Sequence, residues 1–249
     1  MLEAGPSQFE TRRVALWAVP RSVSSAFERS FIERDDTLVL HEPFSHAYYH
    51  GPDRRSARFA DEEPEAAHAP GAIVDRALEV SEVPVLFLKD MAYQALPFVG
   101  PEFFRQLTNT FLIRHPREAL ASLHRRWPDF GEEEAGYAAQ ARLFDLITGE
   151  LGQDPIVIDA TDFRRRPEPI MRAFCEAIGV PFFDGAMRWE PGPVDVFKPR
   201  SDWHEEVEAS TGIDPPKEPP KGRLSARLER MIEEALPHYE RLHGHRLTV

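Results

Sequence analysis

Cysteine is almost missing from this chain: Cys175 is the only one among 249 residues. No intramolecular disulfide can form, and no cysteine-based zinc site can be assembled. Cys175 lies in Met171-Arg-Ala-Phe-Cys-Glu-Ala-Ile, an amphipathic helical pattern, which reads it as a small buried hydrophobe. Long apolar runs are absent too. None approaches the ~20 residues that a membrane span needs. The opening Met-Leu-Glu-Ala-Gly-Pro lacks the basic and apolar regions of a secretory signal. These absences lead us to expect a cytoplasmic protein with no membrane partner. Positive charge is scarce: Lys+Arg number 30 against 42 Asp+Glu, a formal net charge of −12. That balance argues against a nucleic-acid partner, whose phosphates need a basic surface. Lysine is the rarer cation, with only Lys89, Lys198, Lys217 and Lys221, and none follows a glycine. A Walker A loop, Gly-x-x-x-x-Gly-Lys-Ser/Thr, is therefore excluded, and with it an ATPase or GTPase of the usual kind.

What is present reads as a folded α/β protein. Hydrophobic residues make up 42% and charged residues 29% of the chain, ordinary values for a globular core. Short apolar runs recur at Val14–Val19, Leu38–Leu40, Val85–Leu88, Thr110–Ile113 and Ile156–Ile158. Each is apolar on both parities, as strands of a parallel sheet covered on both faces tend to be. Helical patterns lie between them at Ser22–Glu33, Arg117–Arg126, Glu132–Leu151 and Pro167–Ile178, with a last one over Ser225–Leu236 that Pro237 interrupts. The alternation predicts a three-layer, doubly wound parallel sheet. We expect a single domain over residues 1–249, with long loops at 42–70 and 191–220.

The most informative segment is Val14-Ala-Leu-Trp-Ala-Val-Pro-Arg-Ser-Val-Ser-Ser. A strand ends, Pro20 turns the chain, and hydroxyl residues open a helix. Such a turn presents the free N–H groups and positive dipole end of the helix to a ligand above the strand. Ser22, Ser24 and Ser25 add hydroxyls and Arg21 adds a fixed charge, so phosphate is a natural guest. The plainer reading is a serine-rich N-cap. A second segment, Thr110-Phe-Leu-Ile-Arg-His-Pro-Arg-Glu-Ala-Leu-Ala-Ser, repeats the plan: Arg114 ends a strand and Ser122 lies in the following helix. Arg offers a bidentate grip on phosphate and Ser a donor from the same side. Each residue alone is unremarkable in such a place.

Together, the two segments resemble the phosphate-binding motifs of sulfotransferases that use 3′-phosphoadenosine-5′-phosphosulfate (PAPS). Pro20-Arg-Ser-Val-Ser-Ser is similar to that family's 5′-phosphosulfate loop, with Val23 where the family usually has Gly. Backbone donation there needs glycine only if φ is positive. Arg114 and Ser122 resemble its 3′-phosphate motif. The likeness continues through Ile156-Val-Ile-Asp-Ala-Thr-Asp-Phe and the helix ending in Ile178-Gly-Val-Pro, spans roughly residues 13 to 190, and touches Trp203–Gly212 weakly. The resemblance implies a P-loop-like phosphate-binding turn after the first strand, with Arg21, Ser22, Val23, Ser24, Ser25, Arg114 and Ser122 on the cofactor. It implies sulfuryl transfer from PAPS, which leaves as adenosine 3′,5′-bisphosphate, to a hydroxyl or amine of a small-molecule acceptor. No metal is implied.

Sulfuryl transfer needs positioning, charge stabilisation on the leaving phosphate, and a base for the acceptor. Arg21 suits the second task and, since a guanidinium scarcely gives up its proton near neutral pH, acts as a charge and not as an acid. His41 and Glu42 end the second strand at the ligand-binding edge of the sheet. Glu42 resembles the carboxylate base of some family members, and His41 competes through the ordinary basicity of imidazole. Lys89, at the end of the third strand, either reaches the leaving group or pairs with Asp90 or Glu42. His46, Tyr48, Tyr49 and Trp127 are candidates for the acceptor wall. Two rival functions remain at this point: a P-loop kinase or phosphotransferase of atypical loop sequence, and a non-catalytic nucleotide-binding protein. The acidic balance disfavours polyanionic acceptors. Nothing in the pattern fixes the acceptor's identity or the oligomeric state.

Overall fold

The structure, a computed structural model, describes residues 10–216 and 222–249. The leader reading of the first residues and part of the 191–220 loop thus lie outside the described residues. Each of the five apolar runs is a strand: β1 (Arg12–Ala18), β2 (Thr37–His41), β3 (Val85–Met91), β4 (Thr108–Ile113) and β5 (Ile156–Asp159). They form one all-parallel sheet in the order β2-β3-β1-β4-β5. From β1 the chain crosses to the edge strand β2, returns inward through β3, and then passes β1 to reach β4 and β5, so the winding reverses at the carboxyl end of β1, where a ligand crevice opens.

Between the strands run α1 (Ser24–Ile32), α2 (Pro43–His50), α3 (Pro70–Glu79), α4 (Ala92–Ala95), α5 (Pro101–Arg105), α6 (Pro116–Arg126) and α7 (Tyr137–Asp145), and β5 is followed by α8 (Ala160–Arg165) and α9 (Pro167–Ile178). Then follow α10 (Glu205–Glu208) and α11 (Ala226–His243). Alternate β1 residues face opposite layers. Val14, Leu16 and Ala18 pack with Phe27 and Phe31 of α1 and Phe174 of α9, whereas Ala15 and Trp17 pack with α2, α5 and α7. Phe31 stacks on Phe87 of β3 with ring centroids 3.9 Å apart, which ties α1 to the sheet. Helix α9 stops where the sequence says it should. Gly179 takes the left-handed conformation (φ 73°), and Val180 N–H donates back to the Cys175 carbonyl at 2.9 Å. Cys175 is buried, and burial pushes its thiol up to about 11.

Three expectations about the elements need correction. The 42–70 stretch is not loop throughout, because α2 occupies its start. Pro43 pre-sets the first turn, the Asp90 carboxylate accepts Phe44 N–H at 2.6 Å, and Phe44, Tyr48 and Tyr49 are buried. The helix expected over Glu132–Leu151 is broken at Gly136 (φ 83°), and only Tyr137–Asp145 is regular α-helix. Finally, α11 runs past Pro237 to His243, since Leu242 is buried beyond the proline and Tyr239 donates to Asp159 at 3.1 Å.

Candidate active site

The carboxyl ends of β1, β2, β3 and β4 open into a cavity of about 340 Å³. At its floor the turn Pro20–Ser25 leads from β1 into α1. Arg21 (φ 63°) and Val23 (φ 71°) both adopt left-handed backbone, and the Val23 carbonyl accepts the N–H groups of Ala26 and Phe27. Glycine's usual place in this turn is therefore one of positive φ, and Val23 fills it under strain. The hydroxyl of Ser22 is buried with no hydrogen-bond partner among the described residues.

The two strand–turn–helix segments singled out in the sequence meet in space. Arg21 Nε donates to Ser122 Oγ at 3.1 Å, and Arg114 Nη1 donates to the Arg21 carbonyl at 2.7 Å. Residues about a hundred positions apart thus form one cluster, because β1 and β4 are neighbours in the sheet. Arg125 and Arg164 line the same end of the cavity. Burial, followed by the charges of Arg114, Arg126 and Arg125, lowers the Arg21 pKa, with Glu206 opposing. Arg164 is lowered by burial and by Arg114. Several guanidinium groups are therefore gathered at one end, although Glu118 pairs with Arg114 at 3.1 Å.

Beside this cluster lies a group of buried ionisable side chains. His41 and Lys89 are register partners on β2 and β3, so both point to the α1 layer. Lys89 is fully buried and ion-paired with Glu42, and its Nζ lies 3.9 Å from Glu28. Burial works against the Lys89 charge, but Glu42 and Glu28 outweigh it and raise its pKa. Glu42 itself has left-handed backbone (φ 42°) at the start of α2. Burial would raise its carboxyl, yet Lys89, His41 and His204 hold it down at about 2. His41 Nδ1 is 2.8 Å from Glu28 Oε2. Lys89 thus pairs with Glu42 in this structure.

The cavity is roofed by the 3₁₀ turn Asp195–Trp203 and by α10. Here sits His204, with Nδ1 3.0 Å from Ser25 Oγ, its ring stacked on Phe197 at 4.3 Å between centroids and set edge-on to His41 at 4.9 Å. Burial, then Lys89 and His41, lowers His204 to about 3, so it is neutral. His46, Tyr49 and Trp127 line the far end of the cavity, along with Met91, Tyr93 and Gln94. Tyr48 does not; its hydroxyl turns to Glu133 at 3.0 Å. Sequence reasoning missed Glu28, Arg164 and His204. None of the three is part of the quoted motif residues, and only packing brings their side chains together at the cavity.

The model of the sulfotransferase domain family matches residues 12–246. The chain belongs to the sulfotransferase family. Among solved structures, the sulfotransferase domain of the Synechococcus PCC 7002 olefin synthase superposes with a TM-score of 0.52 at 16% identity, covering 93% of this chain and 97% of that one. A sulfotransferase from Alicyclobacillus acidocaldarius gives a TM-score of 0.51 at 14% identity, covering 92% and 99%. At such identities the likeness is one of fold. Branched-chain-amino-acid aminotransferase-like proteins 2 and 1 of Arabidopsis thaliana are each 28% identical over 236 residues, 92% of this chain and 41% of the relative. This sulfotransferase domain therefore spans about two-fifths of the length of those curated relatives. Among the described residues no helix is long and apolar enough to cross a membrane.

Proposed function

We propose that this sulfotransferase domain moves a sulfuryl group from PAPS to a hydroxyl or amine of a small-molecule acceptor, in the cytoplasm. The observation that carries this reading is the meeting of Arg21, Arg114 and Ser122 above the carboxyl end of β1, beside the N-terminus of α1. The gathered guanidinium groups, the partnerless Ser22 hydroxyl and the left-handed turn suit a ligand with several phosphate charges. When bound, PAPS supplies the transferable sulfuryl group and a phosphate leaving group. In this reading the turn Arg21–Ser25 holds the 5′ end of the donor, and Arg114 with Ser122 holds its 3′-phosphate. Arg21 balances charge that grows on the departing phosphate. Glu42 and His41 flank the place where an acceptor would approach. Lys89 keeps Glu42 ionised and in place. The aromatic wall of Tyr49, Tyr93 and Trp127 suits a small acceptor with an apolar part.

Thermal shift tests the donor directly. Adenosine 3′,5′-bisphosphate without Mg²⁺ is expected to raise the Tm, and Mg·ATP is not. The reverse pattern would identify a phosphotransferase instead. Arg114→Ala is expected to weaken bisphosphate binding about tenfold to a hundredfold, the loss of charged hydrogen bonds. Unchanged affinity would remove Arg114 from the donor site. Turnover of PAPS with any hydroxyl or amine acceptor, lost in Arg21→Ala, would exclude a non-catalytic nucleotide binder.

A further inference from the structure

Glu28 lies one turn along α1 from Ser24, on the helix whose N-terminus forms the phosphate-binding turn. Its side chain is fully buried. A buried carboxylate is costly unless it is paired and hydrogen-bonded. The partners of Glu28 are His41 Nδ1 at 2.8 Å and, farther off, Lys89 Nζ at 3.9 Å. Lys89 is already committed to Glu42. The close contact of Glu28 is therefore the imidazole.

A carboxylate can only accept, so Nδ1 of His41 must carry the proton. In neutral His41 that leaves the lone pair on Nε2. Nε2 has no hydrogen-bond partner among the described residues, and His41 lines the cavity between Glu42 and His204. His204 makes no ion pair with Glu28 among the described residues, and its Nδ1 faces Ser25 Oγ instead. Glu42, the other base candidate, is tied to Lys89. An oxygen held by an ammonium is a weaker proton acceptor than a free imidazole nitrogen.

We infer that Glu28 is a positioning residue that fixes His41 with Nε2 toward the acceptor, and that His41, not Glu42, is the base. This rests on the sulfotransfer reading above. The acceptor O–H proton passes to His41 Nε2 while the acceptor oxygen bonds to sulfur. The bond from sulfur to the 5′-phosphate oxygen breaks, and its electron pair stays on the phosphate. Glu28 remains ionised opposite the new imidazolium, which later gives its proton to solvent. One helix thus sets both halves of the reaction: Ser24 and Ser25 begin it at the donor turn, and Glu28 on the next turn aligns the base.

Two measurements test this. In histidine-¹⁵N-labelled protein without ligand, long-range ¹H–¹⁵N correlation at pH 8 is expected to show His41 as the Nδ1–H tautomer. The Nε2–H tautomer would overturn the inference. Turnover is then compared with PAPS and two acceptors: benzyl alcohol, which must lose its proton during transfer, and 4-nitrophenol, already largely ionised at pH 8. Glu28→Gln and His41→Gln are each expected to lower benzyl alcohol turnover about a hundredfold, and 4-nitrophenol turnover less than threefold. Bisphosphate affinity should stay within twofold. The double variant should be no slower than His41→Gln alone. Equal losses with both acceptors, or losses that multiply in the double variant, would overturn the dyad. If Glu28→Gln does not fold, Glu28→Asp takes its place, with His41 again expected as the Nδ1–H tautomer. Failure of the wild-type protein to bind bisphosphate would instead defeat the sulfotransfer reading, and the tautomer would still report on the Glu28–His41 pair.

Discussion

Val23 is a β-branched residue at φ 71°, where left-handed backbone brings Cβ against the following carbonyl. Such strain costs roughly 1–2 kcal/mol and persists only where the surroundings enforce it. Here the enforcing contacts are the Val23 carbonyl, bonded to two N–H groups of α1, and the packing of its side chain on the Phe27 layer. Glycine would relieve the strain, whereas alanine would keep Cβ and lose the methyl contacts. Val23→Gly is therefore expected to be more stable than Val23→Ala by about 1 kcal/mol in urea unfolding. Equal stabilities would mean that the turn relaxes around either residue. The resemblance of the loop was legible in Pro-Arg-Ser-x-Ser-Ser. The sign of φ at Val23 was not, because it depends on how β1 and α1 are held apart by the sheet.

At the scale of elements, the strands and α9 could be read from the chain because local signals agreed with tertiary demands. Apolar runs made the strands, and Gly-Val-Pro ended the helix. Helices α2 and α11 show the opposite case. In α2, a prolyl start and a run of aromatics resemble a loop until Asp90, from β3, supplies the acceptor for its first turn. In α11 the proline costs one backbone hydrogen bond, and burial of Leu242 with the Tyr239–Asp159 contact carries the helix beyond it. Leu242→Ala is accordingly expected to cost about 2–4 kcal/mol in chemical denaturation. A cost below 1 kcal/mol would show that the last turns of α11 contribute little. Within the site, Arg21 belongs to one predicted segment and Arg114 with Ser122 to another, and the adjacency of β1 and β4 joins them.

For the whole molecule, the buried ionisable cluster predicts how stability depends on pH. His204 takes up a proton at about 3 when folded and near its ordinary 6.5 when unfolded. Between those values the unfolded chain binds more protons, so stability falls as pH drops from 6.5 toward 3. Glu42 has a folded value of about 2 against an ordinary 4.5, so its contribution is complete above 4.5 and is lost as pH falls through about 2. His204→Phe should flatten the dependence between pH 6.5 and 4.5, and Glu42→Gln the part below 4.5. Unfolding free energies measured from pH 7 to 3 check both, and unaltered slopes would deny the burial of these groups. The net charge of −12 also bears on binding. Because the guanidinium groups are gathered in one cavity of an acidic molecule, bisphosphate affinity should weaken as salt rises from 50 to 500 mM. A flat response would mean that charge contributes little to the donor site.

Neighbours along the chain set the alternation of strands and helices, the two strand–turn–helix segments that carry Arg21 and Arg114, and the absence of a Walker lysine. Tertiary structure decided which charges share a cavity. Glu28 reads as an ordinary helical surface acid, yet the sheet turns His41 and Lys89 toward it, and His204 arrives from a segment with little regular pattern. Coulombic and hydrogen-bonding partners are set by distance in space, and with β1 between β3 and β4 that distance follows from strand order, not from spacing along the chain.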